Sequence, residues 1–212
     1  QELHLHICNN SPERQGELET IAKRMELKSK QKLKIHDMGG NMGGFARFQL
    51  ARQLMDTEYV DYLIMVDDDQ YMRPTTLRDV YSRRAPQTYK TWHGRKWRDV
   101  HTIYFWSMQK NIMLRDYHYG GTGTSIVDAR VFRIRELFGV PQRYLFMEDI
   151  WLSHIVHTLH WRPIERLLVE FDAPEKEFVQ ATAQYQALRD LKTEFWLKLG
   201  RLEGCSKSTG QQ

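Results

Sequence analysis

"YLIMVDDDQYM", residues 62–72, decides how the chain is read. Five residues of mostly apolar, strand-forming character run straight into three consecutive aspartates. Three adjacent like charges repel, and a carboxylate drawn away from water needs a partner. Side chains of an extended chain alternate between faces, so Asp67 and Asp69 share one side and Asp68 points away. Two carboxylates converging at a strand end suit a hard divalent cation, Mg²⁺ or Mn²⁺, which draws its other ligands from water and phosphate oxygens. The plainer alternative is a solvated acidic loop after a core strand. The apolar strand leading directly into the run weighs toward the metal.

Upstream, strand and helix signals alternate. "LHLHIC" (3–8) and "KLKIHD" (32–37) alternate apolar with polar and read as strands. Between them Ser11 reads as an N-cap, Pro12 as the first helical position and Glu13 as a first-turn acid, opening a basic amphipathic helix over 13–28. "MGGNMGG" is a glycine-rich loop, 45–55 has helical spacing, and 59–66 is a third strand. Strand, helix, strand, helix, strand predicts an α/β sandwich with a largely parallel sheet at its start. Ligands gather beyond the carboxyl ends of such strands. The loops "NNSP" (9–12), "DMGGNMGG" (37–44) and "DDDQ" (67–70) are therefore expected to meet at one edge.

Downstream, 75–83 reads as a helix. Residues 88–108 are aromatic and basic, with an "HGRK" turn between two strands. Residues 119–132, "YGGTGTSIVDARVF", read as a glycine-rich loop, a strand and a helix start. "MEDIWLSHIVHTLH" (147–160) reads as a helix with acids in its first turn, "WRPIERLLVEF" as a late strand, and 175–199 as a long helix. Residues 1–205 read as one domain and 206–212 as a flexible tail.

The 212 residues carry 41% hydrophobic and 27% charged side chains, ordinary for a globular protein. No apolar run approaches the ~20 residues that span a bilayer. The first residues, "QELHLHICNN", read as strand and not as a secretory leader. Cys8 and Cys205 are far apart, which speaks against a disulfide framework and for a reducing, cytoplasmic setting. The net charge of +4 is spread along the chain and favours anionic partners only weakly. His154, His157 and His160 are spaced so that only adjacent pairs share a helix face, and no Cys or His-Glu-x-x-His companion supports zinc there. His4 and His6 share a strand face and read as packed or exposed.

Other phosphate-handling motifs fit poorly. A haloacid-dehalogenase phosphatase needs Thr or Val where Tyr71 stands, and neither glycine-rich loop carries the Gly-Lys-Ser/Thr of a P-loop. "NMGGFARFQLARQLM", an apolar strand, "VDDDQ", "GGTGTSIVDARVF" and "MEDIWLS" together resemble glycosyltransferases of the GT-A fold, in order and approximate spacing, over residues 3–170. The resemblance implies a single-domain, Rossmann-like α/β/α sandwich with a mixed, mostly parallel sheet. It implies that Asp67 and Asp69 bind Mn²⁺ or Mg²⁺, and that Asp68 touches the donor ribose or sugar. Asn9, Asn10 and Asp37 fall where such enzymes hold uracil and ribose, and Arg47 where an arginine contacts the nucleotide. Gly121, Thr122 and Gly123, with Thr124, match the loop beside the donor sugar. Asp149 matches the general base of the inverting branch, although acids at a helix start also simply stabilise its dipole. The Gln-x-x-Arg-Trp motif of processive synthases is missing, and no third metal ligand can be assigned.

The function these residues imply is metal-dependent transfer of a hexose from a nucleoside diphosphate sugar, a UDP-sugar first, to a glycan hydroxyl with inversion. No nucleic acid or transmembrane segment is expected to take part. The rivals are a metal-dependent phosphoryl-transfer enzyme or nuclease, and a nucleic-acid module built on 88–106, where Lys90, Trp92, His93 and Trp97 form a basic aromatic platform.

Overall fold

The computed structural model describes residues 4–29, 33–68, 70, 72–95, 117–159, 161–169 and 182–199. Strand β1 (Leu5–Asn9) and strand β2 (Leu33–Asp37) pair in parallel, from Leu5↔Leu33 to Asn9↔Asp37. A parallel pair needs a crossover, and helix α1 (Gln15–Ser29) supplies it. Pro12 opens a 3-10 turn ahead of α1, as its fixed φ allows. Ser11 makes no side-chain cap; its carbonyl accepts the Arg14 N–H instead.

Helix α2 (Ala46–Thr57) leads to strand β3 (Tyr62–Met65), the edge of a four-stranded sheet. Its order is β3, β7 (Ser125–Asp128), β4 (Tyr89–Thr91), β8 (Glu165–Arg166). Strand β7 runs antiparallel to both β3 and β4, while β4 and β8 are parallel. A two-stranded antiparallel piece joins β5 (Gly94–Arg95) to β6 (Tyr119–Gly120). The chain is thus α/β, but the expectation of a mostly parallel sheet is corrected: the described ladders are mixed. The reason lies at Gly123, which packs against the Asp67 carboxylate just beyond the end of β3. A strand leaving that point can pair with β3 only by running back along it. Gly94 and Arg95 of "HGRK" themselves form β5, and the second strand expected after that turn lies outside the described residues.

Alternation along β3 and β7 sends side chains to two cores. Met65 and Val127 join Phe48, Ala51 and Met55 of α2, with Leu152, Ile155 and Val156 of helix α4 (Glu148–Thr158). On the other face, Ile126 packs with Val80 of helix α3 (Thr76–Ser82) and with Leu167, and Ile64 lies against them. Helices therefore cover both faces of this sheet. A third cluster docks helix α5 (Thr182–Lys198) through Phe195 and Trp196 onto Tyr144, Met147 and Ile150, with Tyr144 stacked on Phe195 at 4.2 Å. Among the described residues no helix is long and apolar enough to cross a membrane. Asp69, Trp97, Phe105, Trp106, His160, the larger part of the basic aromatic stretch and the 206–212 tail lie outside the described residues.

Phe48 is fully buried between Phe45 and Phe132. Phe48→Ala is expected to cost ~3–5 kcal/mol in urea unfolding. Tyr59→Ala, at a ring 90% exposed, should stay within about 0.5 kcal/mol.

Candidate functional site

Named bonds join two of the three loops expected to converge, and Arg47 joins the 67–70 turn to the first turn of α2. Asn10 Nδ2 donates to the Gly43 carbonyl at 3.0 Å, tying the loop after β1 to the glycine-rich loop after β2. Asn9 is buried, donating to Gln15 Oε1 and accepting the Ser11 N–H, so its side chain shapes the turn. Asp37 is exposed and accepts the Gly39 N–H at 2.8 Å. Gly43 has φ +57, and a Cβ there would strike the Phe146 ring, so this turn needs glycine on both counts.

Arg47 leaves the first turn of α2 toward the end of β3. Its Nη2 donates to Asp67 Oδ1 at 2.9 Å. Its Nη1 is buried without a hydrogen-bond partner among the described residues. Burial works against the charge of Arg47, but Asp67 and then Glu148 outweigh it and hold its pKa up. The other Asp67 oxygen lies against Gly123, where any Cβ would overlap it. Gln70 completes the turn: its Oε1 accepts the Asp67 N–H at 3.1 Å and the Thr124 hydroxyl at 2.5 Å. Thr124 sits at φ +49, a strained backbone for a β-branched residue. Asp68 is exposed in a turn, so the strand does not extend past Val66 to set the sides of the three aspartates by alternation.

The 121–124 loop closes the far side. The Gly121 N–H donates to the His93 carbonyl, and its own carbonyl accepts the Thr91 hydroxyl at 2.6 Å and the Tyr89 hydroxyl at 3.0 Å. Thr122 is buried and donates its hydroxyl to Glu148 Oε1 at 3.1 Å. Gly44 lies beneath the same carboxylate, and a Cβ there would overlap it. Glu148 is thus enclosed by the glycine-rich loop, the 121–124 loop and Arg47. Burial, then the neighbouring Asp149, pushes its pKa up to about 7, against the pull of Arg47 and Lys192.

The adjacent acid behaves differently. Asp149 is buried, but its Oδ2 accepts Lys192 Nζ of α5 at 2.7 Å and its Oδ1 accepts the Ile150 N–H. Asp67, Arg47, Gly121, Thr122 and Gly123 are thus brought together with Asn10 at their border, while Asp149 is held by a lysine. Sequence reasoning passed over Gln70, Gly44 and Lys192 and treated Glu148 only as a helix-start acid. Gln70 and the Gly before Phe45 carried no signal of their own; only contact between distant segments gives them roles. His154 stacks on Trp151 and His157 lies 3.3 Å from the His118 carbonyl.

A divalent cation fits the donor chemistry of this edge in part. Asp67 supplies a partly exposed hard oxygen, beside an arginine nitrogen that lacks an acceptor. Among the described residues the only His, Cys, Asp and Glu side chains gathered closely enough to share an ion are His4, His6 and Glu58, elsewhere on the molecule. No protein-family model matches the chain, and no curated protein matches it.

A raised carboxyl pKa favours the fold while the group holds its proton. The contribution of Glu148 is complete below its ordinary 4.5 and is lost as pH rises through about 7. Glu148→Gln cannot ionise, so its melting temperature relative to the parent should climb between about pH 5 and pH 8, by at most roughly 3 kcal/mol of stability. Thermal melts of both proteins across that range check the sign.

Proposed function

We propose that the chain is a metal-dependent glycosyltransferase of the GT-A type. It transfers a hexose from a UDP-sugar to a glycan hydroxyl with inversion. The observation that carries this reading is the convergence of Asp67, Arg47 and Glu148 with two glycine loops at the carboxyl end of β3. Strand-end carboxylates, a cation with an open donor and a buried acid are the parts that sugar transfer from a diphosphate needs.

Asp67, with Asp69 beyond the described residues, would hold Mn²⁺ or Mg²⁺. Such an ion supplies Lewis-acid stabilisation of negative charge on the departing diphosphate. Arg47 offers its unpartnered Nη1 to a phosphate oxygen of the same donor. Asn9, Asn10, Asp37 and Asp68 border the loops where the nucleoside half would lie, and Gly121 to Gly123 let the sugar approach the backbone. The acceptor oxygen forms its bond to the anomeric carbon as the carbon–diphosphate bond breaks, and it must shed its proton. The resemblance gave that proton to Asp149. We assign it to Glu148 instead, because Asp149 is engaged by Lys192 and because a carboxylate with a pKa of about 7 is matched to proton abstraction near neutrality. A cleft of about 260 Å³ lined by Trp92, Arg166 and Leu167 to Val169 is joined to this edge by the Trp92 N–H bond to the Thr124 carbonyl. Its indole face suits a sugar ring of the acceptor.

Thermal shift with UDP-hexoses, with and without Mn²⁺, together with product analysis on a glycan acceptor, tests the proposal. Asp67→Asn should abolish the Mn²⁺-dependent shift. Glu148→Gln should keep that shift yet lower turnover by roughly 10²–10⁴. Full transfer in excess chelator, or unchanged turnover in Glu148→Gln, overturns it.

A further inference from the structure

We propose that His4, His6 and Glu58 form a second cation site, one for a transition metal of the zinc class, at the amino end of β1. The Asp67 edge meets the carboxyl ends of the strands, so the length of β1, ~15 Å, separates the two. One ligand atom from each of His4, His6 and Glu58 lies within 4.8 Å of the others. A tetrahedral zinc with ligand bonds near 2.0–2.1 Å brings its ligand atoms to roughly 3.3 Å of one another. Small side-chain rotations close that gap.

The backbone explains why these groups meet. Alternation along β1 puts His4, His6 and Cys8 on one face. The parallel register sets His6 beside Lys34 and Cys8 beside His36, which adds the β2 side chains to the same face. Glu58 is the C-cap of α2, so it reaches this face from a helix end whose dipole favours positive charge. Its two oxygens are divided: Oε2 lies 3.0 Å from His4 Nδ1, and Oε1 accepts Lys34 Nζ at 3.0 Å. Lys34 thereby orients the carboxylate from outside the ligand set. His36 does the same for His6, with Nε2 at 2.9 Å from His6 Nδ1 and the rings stacked at 5.1 Å. Ligating histidines ordinarily carry such an outer partner, which fixes tautomer and ring orientation.

The chemistry selects the ion. Two imidazoles and one carboxylate are a zinc donor set that leaves a coordination position open, whereas Mg²⁺ and Ca²⁺ prefer oxygen alone. A bound ion would staple the start of β1 to β2 and to the end of α2.

The test uses the chain made without a polyhistidine tag, stripped with chelator and dialysed. Zn²⁺ is titrated by calorimetry, and thermal melts are run with and without it. One Zn²⁺ per chain should bind at this site and raise the melting temperature. His4→Gln and Glu58→Gln change partly exposed side chains at the surface, so both should fold, as far-UV circular dichroism will show. Each should weaken that event by at least the ~10–100-fold that outer partners alone are worth. Asp67→Asn should leave it in place, which separates it from the Asp67 edge. The proposal is overturned if the parent chain binds no Zn²⁺, or if binding is undiminished in the His4→Gln, Glu58→Gln double variant.

Discussion

The ion pair of Arg47 with Asp67 is the constraint around which the described site is arranged. It joins the first turn of α2 to the end of β3 at 2.9 Å. A largely buried guanidinium needs compensating charge, since burial alone opposes its ionisation. Two carboxylates supply it, Asp67 directly and Glu148 through space. One cation cannot fully satisfy both, and the burden falls on the more enclosed acid, whose pKa rises to about 7. Burial and then the neighbouring Asp149 raise the pKa of Glu148, while the positive charge of Arg47 pulls against them and fixes the position of Asp67. Nη1 of the same guanidinium, without a hydrogen-bond partner among the described residues, keeps one donor in reserve.

Such crowding is possible only because side chains have been removed elsewhere. Gly44 and Gly123 give their Cβ space to the carboxylates of Glu148 and Asp67. The cost appears one residue later, at Thr124, whose positive φ is of the kind worth on the order of 1–3 kcal/mol of strain. Its hydroxyl bond to Gln70 and its carbonyl bond from Trp92 hold that conformation. Gln70 bonds in turn to the Asp67 N–H, so the strained loop and the acidic turn are held by one amide oxygen.

Local pattern carried much of this. The alternation of "LHLHIC" and "KLKIHD", the apolar run before Asp67 and the helical spacing of 45–55 each locate an element to within a few residues, because burial on one face imposes a period. The meeting of the loops after β1 and β2 follows from that order. The direction of β7 does not, since antiparallel return depends on where the 121–124 loop packs and not on the composition of "SIVD". The choice between Glu148 and Asp149 was equally hidden. Adjacent helical residues point about 100° apart, and which of them turns inward is decided by Lys192 on a helix more than forty residues away. His4 and His6 were visible as a pair on one face; their meeting with Glu58 rests on α2 ending beside β1, a tertiary fact.

The two ends of β1 therefore present different chemistry from one short strand. At the carboxyl end, Asn9 and Asn10 use amide groups to shape loops around a carboxylate and a guanidinium. At the amino end, imidazoles gather around a helix C-cap. Helix α2 runs between them, and its polarity matches both. Near its amino terminus the helix dipole favours negative charge, the sign of Asp67 and Glu148 and of any phosphate. Its carboxyl terminus favours cations, the sign of Lys34 and of a metal at His4 and His6. Reversing α2 would set both dipole ends against their neighbours, so its direction, fixed by the Gly43–Phe45 turn and the run into β3, is what allows an anion-facing site and a cation-facing site to share one strand.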